Sequence, residues 1–136
     1  MSRYLLDTNA VAGCVFRRRG VFDRVQTARL AGHRIGTGIP VLAGVFAGIE
    51  YSATRDANLV VVNRNVGLFR LWPFTPDAAR EYGRLYATLR QRGRTIQTVD
   101  LMIAAIALTL GGCTVVTSDS DLSGIPRLKV ENWATS

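Results

Sequence analysis

Four aspartates stand at positions where an α/β protein can use carboxylates for chemistry. Asp7 closes a short apolar run near the amino terminus, and Asp100 begins a long apolar stretch. Asp119 and Asp121 follow a second apolar run, which ends at Thr117. Taken singly, each aspartate has an ordinary explanation as a helix cap, a complement to a helix dipole or an Asx turn. Their function therefore depends on whether they meet.

A parallel sheet would bring these carboxylates together. The carboxyl ends of neighbouring parallel strands share one edge, and the amino end of the helix at Asp100 can reach that edge. Two carboxylates about 4 Å apart repel by roughly 4 kcal/mol at an effective dielectric of 20, so protonation or a cation must relieve them. Oxygen ligands without a nearby His or Cys favour Mg²⁺ or Mn²⁺ over zinc. Such a site suits hydrolysis of a phosphodiester.

The hydrophobic pattern predicts strands that alternate with helices. We therefore expect an α/β fold, a three-layer α/β/α sandwich with a central, mainly parallel sheet, in which residues 1–136 form a single domain. Thr8 or Asn9 is expected to cap the first helix. The pattern predicts strands at 3–7, 33–38, 113–117 and 128–133, and the second of these is alternatively an extended connector. It predicts helices at 10–19, 21–31, 41–52, 56–71, 76–92 and 101–110. Ala79, Tyr82, Tyr86 and Leu89 are the expected buried stripe of the helix at 76–92.

Composition limits the classes of function. The chain has 136 residues, of which 48% are hydrophobic, but no apolar stretch approaches the roughly 20 residues that span a bilayer. Asp7 interrupts any signal-peptide core, so we expect a cytoplasmic protein with Cys14 and Cys113 as buried thiols. The net charge is +7, and every basic residue except Lys129 is arginine. This excess favours a polyanionic ligand or an acidic protein partner.

Several segments together resemble a PIN domain, most closely the VapC-type toxins of bacterial type II toxin–antitoxin systems. The resemblance implies a magnesium-dependent endoribonuclease, with manganese as a possible substitute, that cuts RNA. It also implies a homodimer and inhibition by a cognate VapB-type antitoxin. The segments that carry it are Leu5-Leu6-Asp7-Thr8-Asn9, Asp100 with the five residues that follow it, Val116-Thr117-Ser118-Asp119, and Val130-Glu131-Asn132-Trp133.

The resemblance also implies roles for particular residues. Asp7 and Asp100 correspond to the principal metal ligands, and Asp119 completes the acidic site. Asp121 is a further candidate ligand beside that site. Two hydroxyl residues would orient the carboxylates or water, namely Thr8 and Thr117.

One position departs from the family pattern. The family has a glutamate in the helix after Pro40, where this chain has Gly44. Glu50 is a poor substitute, because six residues correspond to about 600° of helix rotation and leave it about 120° off the face. We expect weaker magnesium binding and impaired catalysis, and the alternative function is a catalytically deficient PIN domain that still binds an antitoxin and RNA.

Two phosphotransfer classes fit the sequence less well. A receiver-like phosphoacceptor domain needs a lysine opposite its aspartate, and the only lysine, Lys129, is poorly placed for that. A dehalogenase-like enzyme needs a second aspartate two residues after the first, where this chain has Asn9.

Overall fold

A computed structural model describes residues 1–135, which form a five-stranded parallel sheet between two layers of helices. The strands are β1 (Arg3–Leu6), β2 (Arg34–Gly38), β3 (Arg70–Trp72), β4 (Cys113–Val116) and β5 (Lys129–Glu131). The helices are α1 (Thr8–Val15), α2 (Val21–Leu30), α3 (Ile39–Glu50), α4 (Arg55–Asn65), α5 (Pro76–Gln91) and α6 (Thr98–Leu110). The predicted α/β/α fold with a parallel sheet is confirmed.

The strand order places a topological switch point beside β1. The order is β3-β2-β1-β4-β5, so the chain builds outward from β1 on one side and then returns to its other side with β4. Leu6 pairs with Val116 at the carboxyl ends of these two central strands. Ligands of open α/β sheets bind in the crevice outside such a point. The residues after β1 and β4 therefore open onto it.

The core lies on both faces of the two central strands. Leu5, Leu6, Val115 and Val116 are fully buried or nearly so, as expected of parallel strands covered on both faces. The middle of α6 is equally buried, with Ile103, Ala104 and Ala105 inaccessible to solvent. This packing fixes the amino end of α6, which carries Asp100, against the sheet.

Three sequence-based predictions of local structure were wrong. The helix predicted at 56–71 ends at Asn65, and a short 3₁₀ turn then leads into β3. The first helix ends at Val15 because Arg17 has a left-handed backbone, with φ of 57°. The residues of α5 that are buried are Ala78, Glu81, Leu85 and Leu89, so only Leu89 of the expected stripe is buried.

Glu81 explains why the buried face of α5 was misjudged. Its side chain is only 8% exposed, yet it accepts hydrogen bonds from the exposed guanidinium groups of Arg84 and Arg127 at 2.7 and 2.6 Å. These bonds, with Arg84 first, hold the pKa of Glu81 below its usual range. A carboxylate neutralised in this way can occupy a core position.

Cys14 and Cys113 are buried free thiols, as predicted. Burial raises their pKa values to about 11 and about 12, which makes both thiols unreactive. No helix within residues 1–135 is both long and apolar enough to cross a membrane.

Candidate metal centre at the switch point

Asp7 lies at the exact end of β1, where the backbone is fixed from both sides. Its N–H donates to the carbonyl of Val116 at 3.0 Å, which continues the pairing of β1 with β4. The hydroxyl of Thr37 in β2 donates to the carbonyl of Leu6 at 2.7 Å. The Asp7 side chain is therefore projected from a rigid strand end into the crevice between β1 and β4.

The Asp7 carboxylate is buried and serves as the cap of α1. It is 4% exposed, and its Oδ1 accepts a hydrogen bond from the N–H of Ala10 at 2.8 Å. The expected caps Thr8 and Asn9 lie instead within the first turn of α1. Burial raises the pKa of Asp7 despite the bonds from Thr117 and Ala10, and the charge of Asp119 raises it further. Asp7 therefore caps α1 even though burial and the charge of Asp119 disfavour its ionised form.

Thr117 connects Asp7 to the loop after β4. Its buried hydroxyl bonds to the Asp7 carboxylate and accepts a hydrogen bond from the N–H of Asp119 at 3.0 Å. Asp119 in turn accepts from the N–H of Asp121 at 2.9 Å and begins a 3₁₀ turn, Ser120–Leu122. Both loop aspartates are exposed. One Asp119 carboxylate oxygen is thus occupied by the backbone N–H of Asp121.

Asp100 lies in the first turn of α6 and faces the same crevice. Its pKa is raised to about 6, first by burial and then by the charges of Asp7, Asp119 and Asp121. All four predicted aspartates are therefore close enough to interact electrostatically. The crevice at the switch point concentrates negative charge in an otherwise basic protein.

The carboxylates converge without closing on one point. Within residues 1–135, no three Asp, Glu, His or Cys groups are close enough together to hold a metal ion as they stand. The chemistry of the donor set still fits Mg²⁺, since it consists of oxygen ligands whose mutual repulsion a divalent cation would relieve. The fit is incomplete, and the departure at Gly44 bears directly on it.

Gly44 faces the first turn of α1 across a narrow gap. A Cβ atom built on Gly44 would lie 3.8 Å from the Thr8 hydroxyl oxygen, and no other atom outside its own helix would be within 4 Å. A side chain at position 44 would thus begin beside the residue that follows Asp7. Glu50 lies at the exposed end of α3 and pairs with Arg55 at 2.6 Å, far from this role.

Arg94 is a supporting residue that the sequence did not reveal. Its guanidinium donates to the backbone carbonyls of Asp121 and Ser123 at 2.9 and 3.4 Å. These bonds fix the loop that carries Asp119 and Asp121 to the segment before α6. The sequence carries no signal for this contact, because 27 residues separate Arg94 from Asp121.

Replacing Asp100 with asparagine should stabilise the metal-free protein at pH 8 and leave it almost unchanged at pH 3. The folded pKa of about 6 exceeds the ordinary value of 3.8, so ionisation destabilises the fold as pH rises from about 4 through 6. We expect a gain of about 1 kcal/mol, because partial exposure screens much of the repulsion. Urea denaturation in EDTA at both pH values measures it. An equal effect at both would contradict the raised pKa.

The fold and crevice define an α/β/α protein with an acidic edge suited to a hard divalent cation. The chain belongs to the PIN domain family, whose domain matches residues 4–128. This confirms the resemblance found in the sequence.

Several relatives extend over almost the whole chain. Ribonuclease VapC2 of Haemophilus influenzae is 29% identical over 133 residues, which is 98% of this chain and 99% of the relative. The tRNA(fMet)-specific endonuclease VapC of Salmonella typhimurium is 25% identical over 134 residues, 98% of this chain and 99% of the relative.

Solved structures show the same architecture. The VapBC2 complex of Rickettsia felis bound to a promoter DNA fragment aligns with a TM-score of 0.88 at 25% identity, covering 96% of this chain and 98% of that one. The DNA-bound VapBC complex of Salmonella typhimurium gives a TM-score of 0.87 at 25% identity, with 98% and 100% covered.

Proposed function

We propose that this chain is a VapC-type endoribonuclease toxin of a type II toxin–antitoxin system, dependent on Mg²⁺ or Mn²⁺ and weakened by Gly44. The convergence of Asp7, Asp100 and Asp119 at the switch point carries the proposal, since the charge of Asp119 raises the pKa of Asp7 and the charges of both raise the pKa of Asp100. The full-length similarity to proteins named ribonuclease VapC supports RNA as the substrate.

In this proposal Asp7 and Asp100 are the principal ligands, Asp119 completes the site, and Asp121 adds negative charge beside it. Mg²⁺ would supply an acidified water and neutralise charge that develops on the phosphate. Thr117 favours the ionised form of the Asp7 carboxylate, and Thr8 faces the position where a side chain at residue 44 would begin. Asp100, whose pKa is raised to about 6, is mostly ionised at pH 7, where a bound cation would relieve its repulsion with the other carboxylates.

The partners follow from the relatives. Because the similar solved structures are VapBC complexes, we propose that a VapB-type antitoxin binds this chain. From the resemblance to VapC-type toxins we also propose that the chain forms a homodimer in the cytoplasm. The alternative function is a catalytically deficient PIN domain that retains antitoxin and RNA binding. Two observations favour this deficient form, namely the glycine at position 44 and the incomplete convergence of the carboxylates.

The decisive assay for ribonuclease activity is cleavage of purified RNA by this chain in Mn²⁺ and in Mg²⁺. We expect slow cleavage that EDTA abolishes. Complete inactivity in both metals, together with antitoxin binding in a pull-down, would favour the deficient form. Cleavage that persists in EDTA would contradict the metal-dependent mechanism.

A further inference from the structure

A cleft of about 210 Å³ adjoins the acidic crevice on the side of α1. It lies between the start of α1, the turn after β4, the loop between α1 and α2, and the segment after β5. Its polar walls come from Asn9, Arg18, Arg19, Thr117, Ser118 and Asn132, and Trp133 contributes to its apolar part. We refer to this space as the Arg18 cleft.

The Arg18 cleft and the acidic crevice share Thr117. The Thr117 hydroxyl bonds to the Asp7 carboxylate, while the same residue lines the cleft. Asn9 lies two residues after Asp7 and Ser118 lies next to Asp119, so both join the cleft to the candidate metal centre. A chain-like substrate held at Asp7 would therefore continue directly into the Arg18 cleft.

The basic loop beside the cleft is held in an uncommon conformation. Arg17 and Arg19 both have left-handed backbones, with φ of 57° and 54°, which is unusual for residues with a Cβ. The N–H of Arg18 donates to Gly13 at 2.7 Å, and the backbone of Thr135 bonds with Arg19. Such strain persists where surrounding contacts impose it, and it is concentrated at functional sites.

Arg18 is the arginine of this loop that remains available to a ligand. The Arg17 guanidinium lies 3.4 Å from the centre of the Phe22 ring and donates to the carbonyl of Cys14. Arg19 donates from Nε to the carbonyl of Thr135 at 2.8 Å. The Arg18 guanidinium lies 5.1 Å from the centre of the Phe16 ring, a contact that leaves its N–H groups free to donate. Arg18 is exposed, and within residues 1–135 no carboxylate lies within ion-pair distance of it.

We infer that the Arg18 cleft binds the phosphodiester next to the scissile linkage of an RNA strand. This inference rests on the proposed ribonuclease function, because it takes the acidic crevice as the place of cleavage. The Arg18 guanidinium supplies the paired N–H donors that suit a phosphate, and the amide groups of Asn9 and Asn132 add donors nearby. These donors would attract an RNA phosphate and so offset the repulsion between that phosphate and the neighbouring carboxylates.

Arg18→Ala should weaken binding of a labelled oligouridylate in EDTA, where no cleavage occurs. Loss of one phosphate contact to a single strand predicts an affinity about five-fold lower at 0.1 M salt and a log–log salt dependence shallower by about 0.7. Arg18→Glu should weaken binding by at least as much. Fluorescence anisotropy measures both quantities, and circular dichroism confirms that the variants are folded.

Arg64→Ala and Arg64→Glu are matched controls, because Arg64 is an exposed arginine near the end of α4, which leads toward the opposite, amino edge of the sheet. If Arg18 and Arg64 variants weaken RNA binding equally, the effect is general charge and the inference is overturned. Unchanged RNA binding by Arg18 variants that lose an acidic antitoxin peptide would also overturn it. RNA binding that is weakened by the Arg18 variants and not by the Arg64 variants supports the RNA site, even if no form of the protein cleaves RNA. The proposed binding site and the proposed ribonuclease activity can therefore fail separately.

Discussion

Gly44→Glu should raise the rate of RNA cleavage by about 10- to 100-fold, the range found when groups that support a metal site are changed. A side chain at position 44 begins 3.8 Å from the Thr8 hydroxyl and meets no other neighbour outside its helix, so it has space to extend toward Asp7. The added carboxylate would supply the oxygen ligand that the crevice lacks. Single-turnover cleavage in Mg²⁺ at matched protein concentrations measures the gain, and the same substitution should increase toxicity in cells.

Gly48→Glu is the matched control for this substitution. Gly48 lies one turn further along α3, and a Cβ atom there would meet no atom within 4 Å among residues 1–135, not even the Thr8 hydroxyl. Both substitutions add one negative charge. Both also remove a helix-interior glycine, which should stabilise α3 by up to about 1 kcal/mol in each case. We therefore expect increased activity from the substitution at position 44 alone. Equal activation by the two variants, or none by either, would show that Gly44 is not the cause of weak catalysis.

Asp7→Asn in the Gly44→Glu protein should reduce cleavage on the order of 10³-fold. A metal contributes several kcal/mol of transition-state charge stabilisation, and about 4 kcal/mol corresponds to that factor. The fold should survive, because asparagine caps helices about as well as aspartate and can accept the same bond from Ala10. Cleavage rate and thermal unfolding together separate lost chemistry from lost structure.

Asp56→Asn is the appropriate control for the loss at Asp7. Asp56 is an almost fully exposed aspartate in the first turn of α4, where it pairs with Arg55 and with no other residue among 1–135. Its replacement changes the net charge by the same amount and should leave cleavage within about two-fold, as expected of a surface ion pair. Retained cleavage in the Asp7 variant would remove Asp7 from the proposed catalytic site.

The sequence was most informative where burial is strongest. The apolar runs that became β1 and β4 could be recognised because parallel strands covered on both faces carry continuous hydrophobic residues. β3 could not, since it is a three-residue edge strand that follows a helical pattern without an apolar run of its own. The face of α5 was misjudged because Arg127, 46 residues from Glu81, makes a buried carboxylate acceptable.

The candidate site was predictable in position but not in detail. Aspartates after two apolar strands predict a shared edge, and the pairing of β1 with β4 places Asp7 beside the turn that carries Asp119. The hydrogen bonds around the site could not be predicted, because they depend on tertiary contacts and backbone angles. They join Thr117 to Asp7, the Asp121 N–H to Asp119, and Arg94 to the loop that carries Asp121. The roles of Asp7, Asp100, Asp119 and Asp121 as ligands remain predictions.

The most direct measurement is a Mn²⁺ titration followed by electron paramagnetic resonance. It compares this chain, its Gly44→Glu variant and that variant with Asp7→Asn. We expect weak Mn²⁺ binding by the chain, binding at least about ten-fold tighter with Glu at position 44, and loss of that gain when Asp7 is replaced. Identical Mn²⁺ affinity in all three proteins would contradict a metal site built around Asp7 that lacks one carboxylate.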